Sequence, residues 1–199
     1  MLRTVVAAAF LAAATAANPP TGSVTVEKVK VNGSGCRSDT VAVAVSQDKQ
    51  AFTVLYSTYL AQAGIGSKNK DERRTCSITV RLTVPAGVSY AIPTVDYRGF
   101  AHLEPGGSAT LSGRYHLQGS GAPAYTVHSF GSGLDDDWLV TDVVGTSPVY
   151  SQCGKDSKVD IDTELRAMAD RDDAPTSYIT MDSTDGTVAT TYHLSYRSC

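Results

Sequence analysis

Between Thr75 and Val84 the chain alternates without a break: Cys76, Ile78, Val80, Leu82 and Val84 take turns with Ser77, Thr79, Arg81 and Thr83. A repeat of two is the repeat of a β-strand, with one row of side chains in a core and the other in water. No helix can carry this row on one face. Pro85-Ala86-Gly87 follows, and then Val88, Tyr90 and Ile92 resume the pattern. A three-residue hairpin loop with Gly87 at positive φ predicts Val84 opposite Val88, Leu82 opposite Tyr90 and Val80 opposite Ile92. A slip of one residue would turn every apolar side chain outward.

The same period recurs along the chain. Val24 to Val31 reads as a strand whose apolar face switches midway, and Val41, Val43 and Val45 answer Phe52, Val54 and Tyr56 around a turn at Gln47 to Gln50. Ala61 to Arg74, with Lys68, Lys70, Arg73 and Arg74, reads as a solvated loop in preference to a basic groove. Strands are expected over Tyr97 to Leu103, Ala109 to Leu117, Ala124 to Phe130 and Trp138 to Val144. Helix formers lie between Thr163 and Arg171. The alternation of Val159, Ile161, Thr163 and Leu165 with Lys158, Asp160, Asp162, Glu164 and Arg166 starts earlier, and favours a strand through Leu165. Asp185-Gly186 is a two-residue turn signal that sets Met181 opposite Thr190 and Ile179 opposite Tyr192. Ten or more short strands without a long helix make an all-β chain, an antiparallel β-sandwich.

Residues 1–17 have the make-up of a secretory signal: Arg3, an apolar run from Val5 to Ala14, and small residues at Thr15-Ala16-Ala17. A loose leader, 18–23, and one sandwich domain, 24–199, follow. Nothing reaches the ~20 apolar residues of a spanning helix. Without Arg3 the chain has 16 Lys+Arg against 20 Asp+Glu, a net charge of −4 that argues against nucleic acid or an anionic membrane as partner. Cys36, Cys76, Cys153 and Cys199 are an even number in an exported chain, so two disulfides are expected. Three connectivities are open. Cys36 with Cys76 and Cys153 with Cys199 is favoured, because these pairs close loops of similar length. Asn32-Gly33-Ser34 is a glycosylation sequon, which makes Asn32 a modification candidate.

Chemistry is harder to find. His102, His116, His128 and His193 are scattered, and neither a His-Glu-x-x-His helix nor a Gly-x-Ser-x-Gly elbow occurs. The Gly-Ser-Gly pieces at 119–121 and 131–133 lack the strand-loop-helix setting of phosphate loops. No spacing singles out two carboxylates for glycosidase work. No cofactor motif is present. The one metal expectation is calcium on Asp135, Asp136 and Asp137, joined by Asp142, since hard cations take several oxygens on a flexible turn. The plain alternative is an acidic turn that keeps a strand edge soluble.

Taken in order, Asn32 to Cys36, Val95 to Gly99, Leu134 to Trp138, Ser151 to Gly154, Asp182 to Gly186 and Tyr196 to Cys199 resemble the secreted family known as domain of unknown function 4360. The resemblance runs over essentially the whole mature chain. It implies a small exported β-rich protein of fungal or actinobacterial type, with no established activity and no role for its acidic motif. The favoured function is a secreted, non-enzymatic protein that binds an extracellular glycan or protein, inhibition of a protease included. Clustering of aromatics such as Tyr97, Phe100, Tyr115, Tyr125 or Trp138 on one open face would favour a glycan. The alternative is a secreted hydrolase with carboxylates, or a histidine and a nucleophile, converging in a cleft.

Overall fold

The computed structural model describes residue 22 and residues 24–119, 121–181 and 190–199. The expected signal segment, most of the leader and the Asp185-Gly186 turn lie outside these. Fourteen strands follow in order among the described residues: β1 (Thr25–Asn32), β2 (Val41–Val45), β3 (Ala51–Tyr56), β4 (Leu60–Ala63), β5 (Arg73–Thr83), β6 (Val88–Ala91) and β7 (Thr94–His102). Then come β8 (Ser108–Leu117), β9 (Ala124–Phe130), β10 (Asp135–Val143), β11 (Ser157–Met168), β12 (Ser177–Thr180), β13 (Thr190–His193) and β14 (Ser195–Ser198). All pairings are antiparallel. One sheet has the order β1-β5-β11-β8-β9, a second joins β2, β3, β4, β7, β10, β12 and β13, and β6 pairs β14 apart from both.

The alternating apolar rows meet between the sheets. Ile78, Leu82, Leu111, Ile161 and Leu165 come from the first, and Phe52, Val54, Val95, Ile179 and Tyr192 from the second. Each such side chain contributes roughly 1.5–3 kcal/mol when fully buried. The all-β class and the strand through Leu165 are as the sequence indicates, as are β2 and β3, with Val45 on Phe52, Val43 on Val54 and Val41 on Tyr56. The midway switch in β1 has a bulge as its cause. Lys28 pairs with Val80 and Lys30 with Thr79, so Val29 has no partner and the phase of burial resets.

Two expected hairpins are corrected. Gly87 does take positive φ, 78°, but Leu82 pairs with Val26 and Ser157, whereas Tyr90 pairs with Tyr196. Pro85-Ala86-Gly87 is a corner that carries the chain out of one sheet. Alternation fixes which side chains face inward, and Leu82 and Tyr90 are both buried. It does not fix which strand lies alongside.

Ile179 likewise faces Ala61 and Ala101, and Tyr192 faces Phe52 and Val95. β10 lines one edge of β7 along its whole length, so β12 and β13 share the other edge end to end. Both run antiparallel to β7 and hence parallel to each other, which no hairpin arms can do. The stretch 61–74 is also not all loop: Leu60–Ala63 is a strand, and Arg73 and Arg74 open β5. Disulfides join Cys36 to Cys76 and Cys153 to Cys199. The first ties the segment after β1 to β5, and the second ties the end of the chain to the segment before β11.

Candidate functional site

β10 carries the acidic motif, and the strand sends its members different ways. Asp135, Asp136 and Asp137 pair in register with His102, Ala101 and Phe100, so successive carboxylates point to opposite faces. All three are exposed, and Asp142 lies further along the strand, buried at 2% exposure. The loop needed to gather them round one cation is not formed. Among the described residues no group of three or more His, Cys, Asp or Glu is placed to hold a metal.

Asp142 instead anchors a polar cluster inside the sandwich. Its carboxylate accepts from Thr126 Oγ1 at 2.5 Å, from the Tyr115 hydroxyl and from His128 Nε2, and Tyr115 also bonds the Tyr97 hydroxyl. Gly113 leaves room for this: a Cβ there would lie 2.7 Å from the Tyr115 oxygen and 2.9 Å from that of Tyr97. Burial, followed by the neighbouring Tyr192 and the Asp142 charge, pushes the Tyr115 hydroxyl well above its ordinary value, so it remains a donor.

A second histidine–aspartate pair lies on the outer face. Asp96 takes His193 Nε2 at 2.7 Å and Thr141 Oγ1 at 2.5 Å. Burial works against its ionised form, but the Thr141 and His193 hydrogen bonds outweigh burial and hold the carboxyl below its usual range. In both clusters hydroxyl and imidazole converge on one carboxylate. A nucleophile, base and acid in series would place the hydroxyl on the imidazole.

His102 has a third arrangement. Its Nδ1 lies 2.9 Å from Asp135 and its Nε2 3.1 Å from Glu104, with the ring stacked on Tyr178. Only the imidazolium donates from both nitrogens, and Asp135 first, then Glu104, raise its pKa.

The outward face of the five-stranded sheet holds a broad polar groove with an exposed aromatic at its rim. Its volume is ≈ 450 Å³. Cross-strand register lays out two rows: Ser77, Asp162, Arg114 and Tyr125, then Thr75, Glu164, Ser112 and Val127. Arg114 donates to Asp162 at 2.6 Å and from Nε to the Tyr125 hydroxyl at 3.1 Å, with its guanidinium carbon 5.9 Å from the ring centre. Tyr125 first, then Asp162, push the Arg114 pKa up. Arg73 meets Glu164 at 2.5 Å. Tyr125 is 68% and Val127 67% exposed, so the ring is fixed in direction while its surface is open.

Of the aromatics singled out in the sequence, Tyr97, Tyr115 and Trp138 are buried, on the inward-facing positions of their strands. Phe100 is half-buried on the other sheet, beside Tyr178, which leaves Tyr125. Asp162 and Glu164 carry no motif that marks them as a pair, although the alternation of β11 puts both on one face. Asn32 ends β1 exposed, and the sequon hydroxyl of Ser34 accepts from the Thr75 amide at 3.1 Å.

The comparisons with known proteins extend over the same strands. The family described as a domain of unknown function (DUF4360) matches residues 22–199. The chain belongs to this family. An uncharacterized secreted protein of Arthroderma benhamiae is 30% identical over 182 residues, covering 91% of this chain and 74% of that one. The enzymatically active domain of bacteriophage CBA120 tailspike protein 4 aligns with 85% of this chain and 19% of its own, at 10% identity. With a TM-score of 0.26 it supports no argument. Two of the sequence pieces that carry the DUF4360 resemblance, Val95 to Gly99 and Leu134 to Trp138, lie side by side. Trp138 pairs with Gly99, and a Cβ on Gly99 would sit 2.3 Å from the indole ring. No helix among the described residues is long and apolar enough to cross a membrane.

Proposed function

We propose that this is an exported, non-enzymatic glycan-binding protein, with the groove on the five-stranded sheet as its site. The observation that carries the reading is Tyr125, an open aromatic ring clamped by Arg114 at the rim of a groove lined by hydroxyls and paired charges. Pyranose rings present an apolar face of C–H groups and an edge of hydroxyls. An exposed ring of fixed direction meets the first, and carboxylates and guanidiniums side by side meet the second, accepting and donating in turn. Asp162 and Glu164 each face a guanidinium at hydrogen-bond distance. This suits hydroxyl recognition better than glycoside hydrolysis, which asks for one carboxyl group in an apolar setting. Export is supported by the secreted relative and by the composition of residues 1–17.

The test is retention of the purified protein on insoluble chitin, cellulose, β-1,3-glucan and xylan. Wild type is expected on at least one matrix, with Tyr125→Ala washed off it. Equal retention of both proteins, or of neither, overturns the reading.

A further inference from the structure

Of the three asparagines in the chain, Asn18, Asn32 and Asn69, only Asn32 opens an Asn-x-Ser sequence without proline at its centre. It ends β1 exposed and makes no side-chain hydrogen bond to another described residue. The strand pairing aims it. Past the bulge in β1, Lys30 pairs with Thr79 and Asn32 with Ser77, and paired side chains of an antiparallel ladder share a face. Val31, between them, packs on the core. Ser77 lines the groove, so Asn32 lengthens the groove's own row: Asn32, Ser77, Asp162, Arg114 and Tyr125 lie side by side across five strands. At about 4.8 Å per strand, Asn32 stands about 10 Å from Asp162 and about 19 Å from Tyr125.

The rest of the sequence motif is fastened to β5. The Ser34 hydroxyl accepts from the Thr75 amide at 3.1 Å, the Gly35 amide donates to the Thr75 carbonyl at 2.8 Å, and Arg74 donates to the Ser34 carbonyl at 3.3 Å. Cys36, two residues on, is bonded to Cys76. In the folded chain the Asn32 amide is therefore open, whereas the hydroxyl that completes the acceptor signal is engaged by a residue 41 positions later. We infer that Asn32 carries an N-linked glycan, added before β5 docks on β1, and that this glycan stands at the β1 end of the groove face. In the transfer, Asn32 Nδ2 bonds to the anomeric carbon of a lipid-diphosphate-linked oligosaccharide. The bond from that carbon to the diphosphate oxygen breaks, the lipid diphosphate leaves with the electron pair, and one Nδ2 proton is released. A sugar chain at this position also shields β1, an edge strand, from pairing with another chain. The assignment requires export, which the composition of residues 1–17 supports, and not the glycan-binding reading.

The test is the intact mass of the full chain expressed in a yeast secretory host, before and after peptide-N-glycosidase, which converts a glycosylated asparagine to aspartate. Wild type and Ser34→Thr, which keeps a hydroxyl, are expected to lose glycan mass; Asn32→Gln and Ser34→Ala are expected to have none to lose. A wild type of polypeptide mass alone, in the medium or in the cells, overturns the site, and so does a releasable glycan in Asn32→Gln. The order of events is read on unglycosylated chain from bacteria, supplied with solubilised oligosaccharyltransferase and its donor. The reduced, unfolded form should be modified and the folded, oxidised form should not; any other pairing overturns the order. Placement is read from amide chemical shifts. Glycosylated and unglycosylated chains should differ at Thr75, Ser77 and Thr79 and agree at Val54 and Ile179 of the other sheet. Identical shifts at Ser77 overturn the placement.

Discussion

Replacing Asp142 by alanine removes the acceptor on which three donors from three different residues converge. The carboxylate is almost wholly buried, its side chain 1% exposed, so solvent cannot take its place. A hydrogen bond to a charged group contributes about 1.5–3 kcal/mol, and the three share one acceptor, so they do not simply add. Breaking a buried charged set by removing one member typically costs about 3–5 kcal/mol, the figure expected here. For a chain of this size each kcal/mol lowers the melting midpoint by about 2–4 °C, which gives a fall of roughly 6–20 °C. The assay is thermal unfolding followed by far-UV circular dichroism at neutral pH, with urea unfolding as a check that the slope is unchanged. Tyr115→Phe should cost less alone, and less again in the Asp142→Ala background, since both changes delete the Tyr115–Asp142 bond and only the Tyr115–Tyr97 bond is left to lose. A midpoint within about 2 °C of wild type would show that the carboxylate is not the hub of this cluster.

Two further outcomes follow from single contacts. The His102 imidazolium is held by Asp135 and Glu104, so its folded pKa is raised. The stability this adds is fully present below the unfolded value near 6.5 and disappears as pH rises through the higher folded value. Unfolding free energy measured from pH 5 to 9 should therefore decline across that window in wild type and less so in His102→Gln; matching slopes would remove the charge assignment. Replacing Cys153 and Cys199 by serine opens a loop whose ends are 46 residues apart, for which chain entropy gives a loss of about 4 kcal/mol. Urea unfolding of the double variant measures this, and a loss under about 1 kcal/mol would mean the bridge constrains little.

The rows of buried side chains were legible in the sequence because a strand's period is two and one face of each sheet is dry. Val43 on Val54 was legible for the added reason that a four-residue turn leaves one register. Leu82 on Tyr90 was not, because Pro85 to Gly87 bends equally well as a hairpin or as a corner between sheets. Ile179 on Tyr192 failed for a cooperative reason: β12 and β13 are placed by β7, a strand 75 residues or more earlier in the chain, and no local pattern encodes that. The groove was half legible. The alternation of β11 sets Asp162 and Glu164 on one face, but their meeting with Arg114 and Tyr125 depends on β8 pairing with β11. Asp142 read as a companion to its acidic neighbours, and only its register against Val95 shows that it faces the core.

The glycan-binding account rests most directly on Tyr125 and Asp162. Titration calorimetry should use soluble oligosaccharides of whichever polysaccharide retains the wild type, applied to wild type, Tyr125→Ala and Asp162→Asn. Loss of an aromatic anchor at a binding site typically costs about 2 kcal/mol or more, so Tyr125→Ala should weaken binding about thirtyfold. Asp162→Asn should weaken it less, with the melting midpoint of both variants near that of wild type because both side chains lie on the surface. Oligosaccharide affinity unchanged in Tyr125→Ala would contradict the placement of the site in this groove.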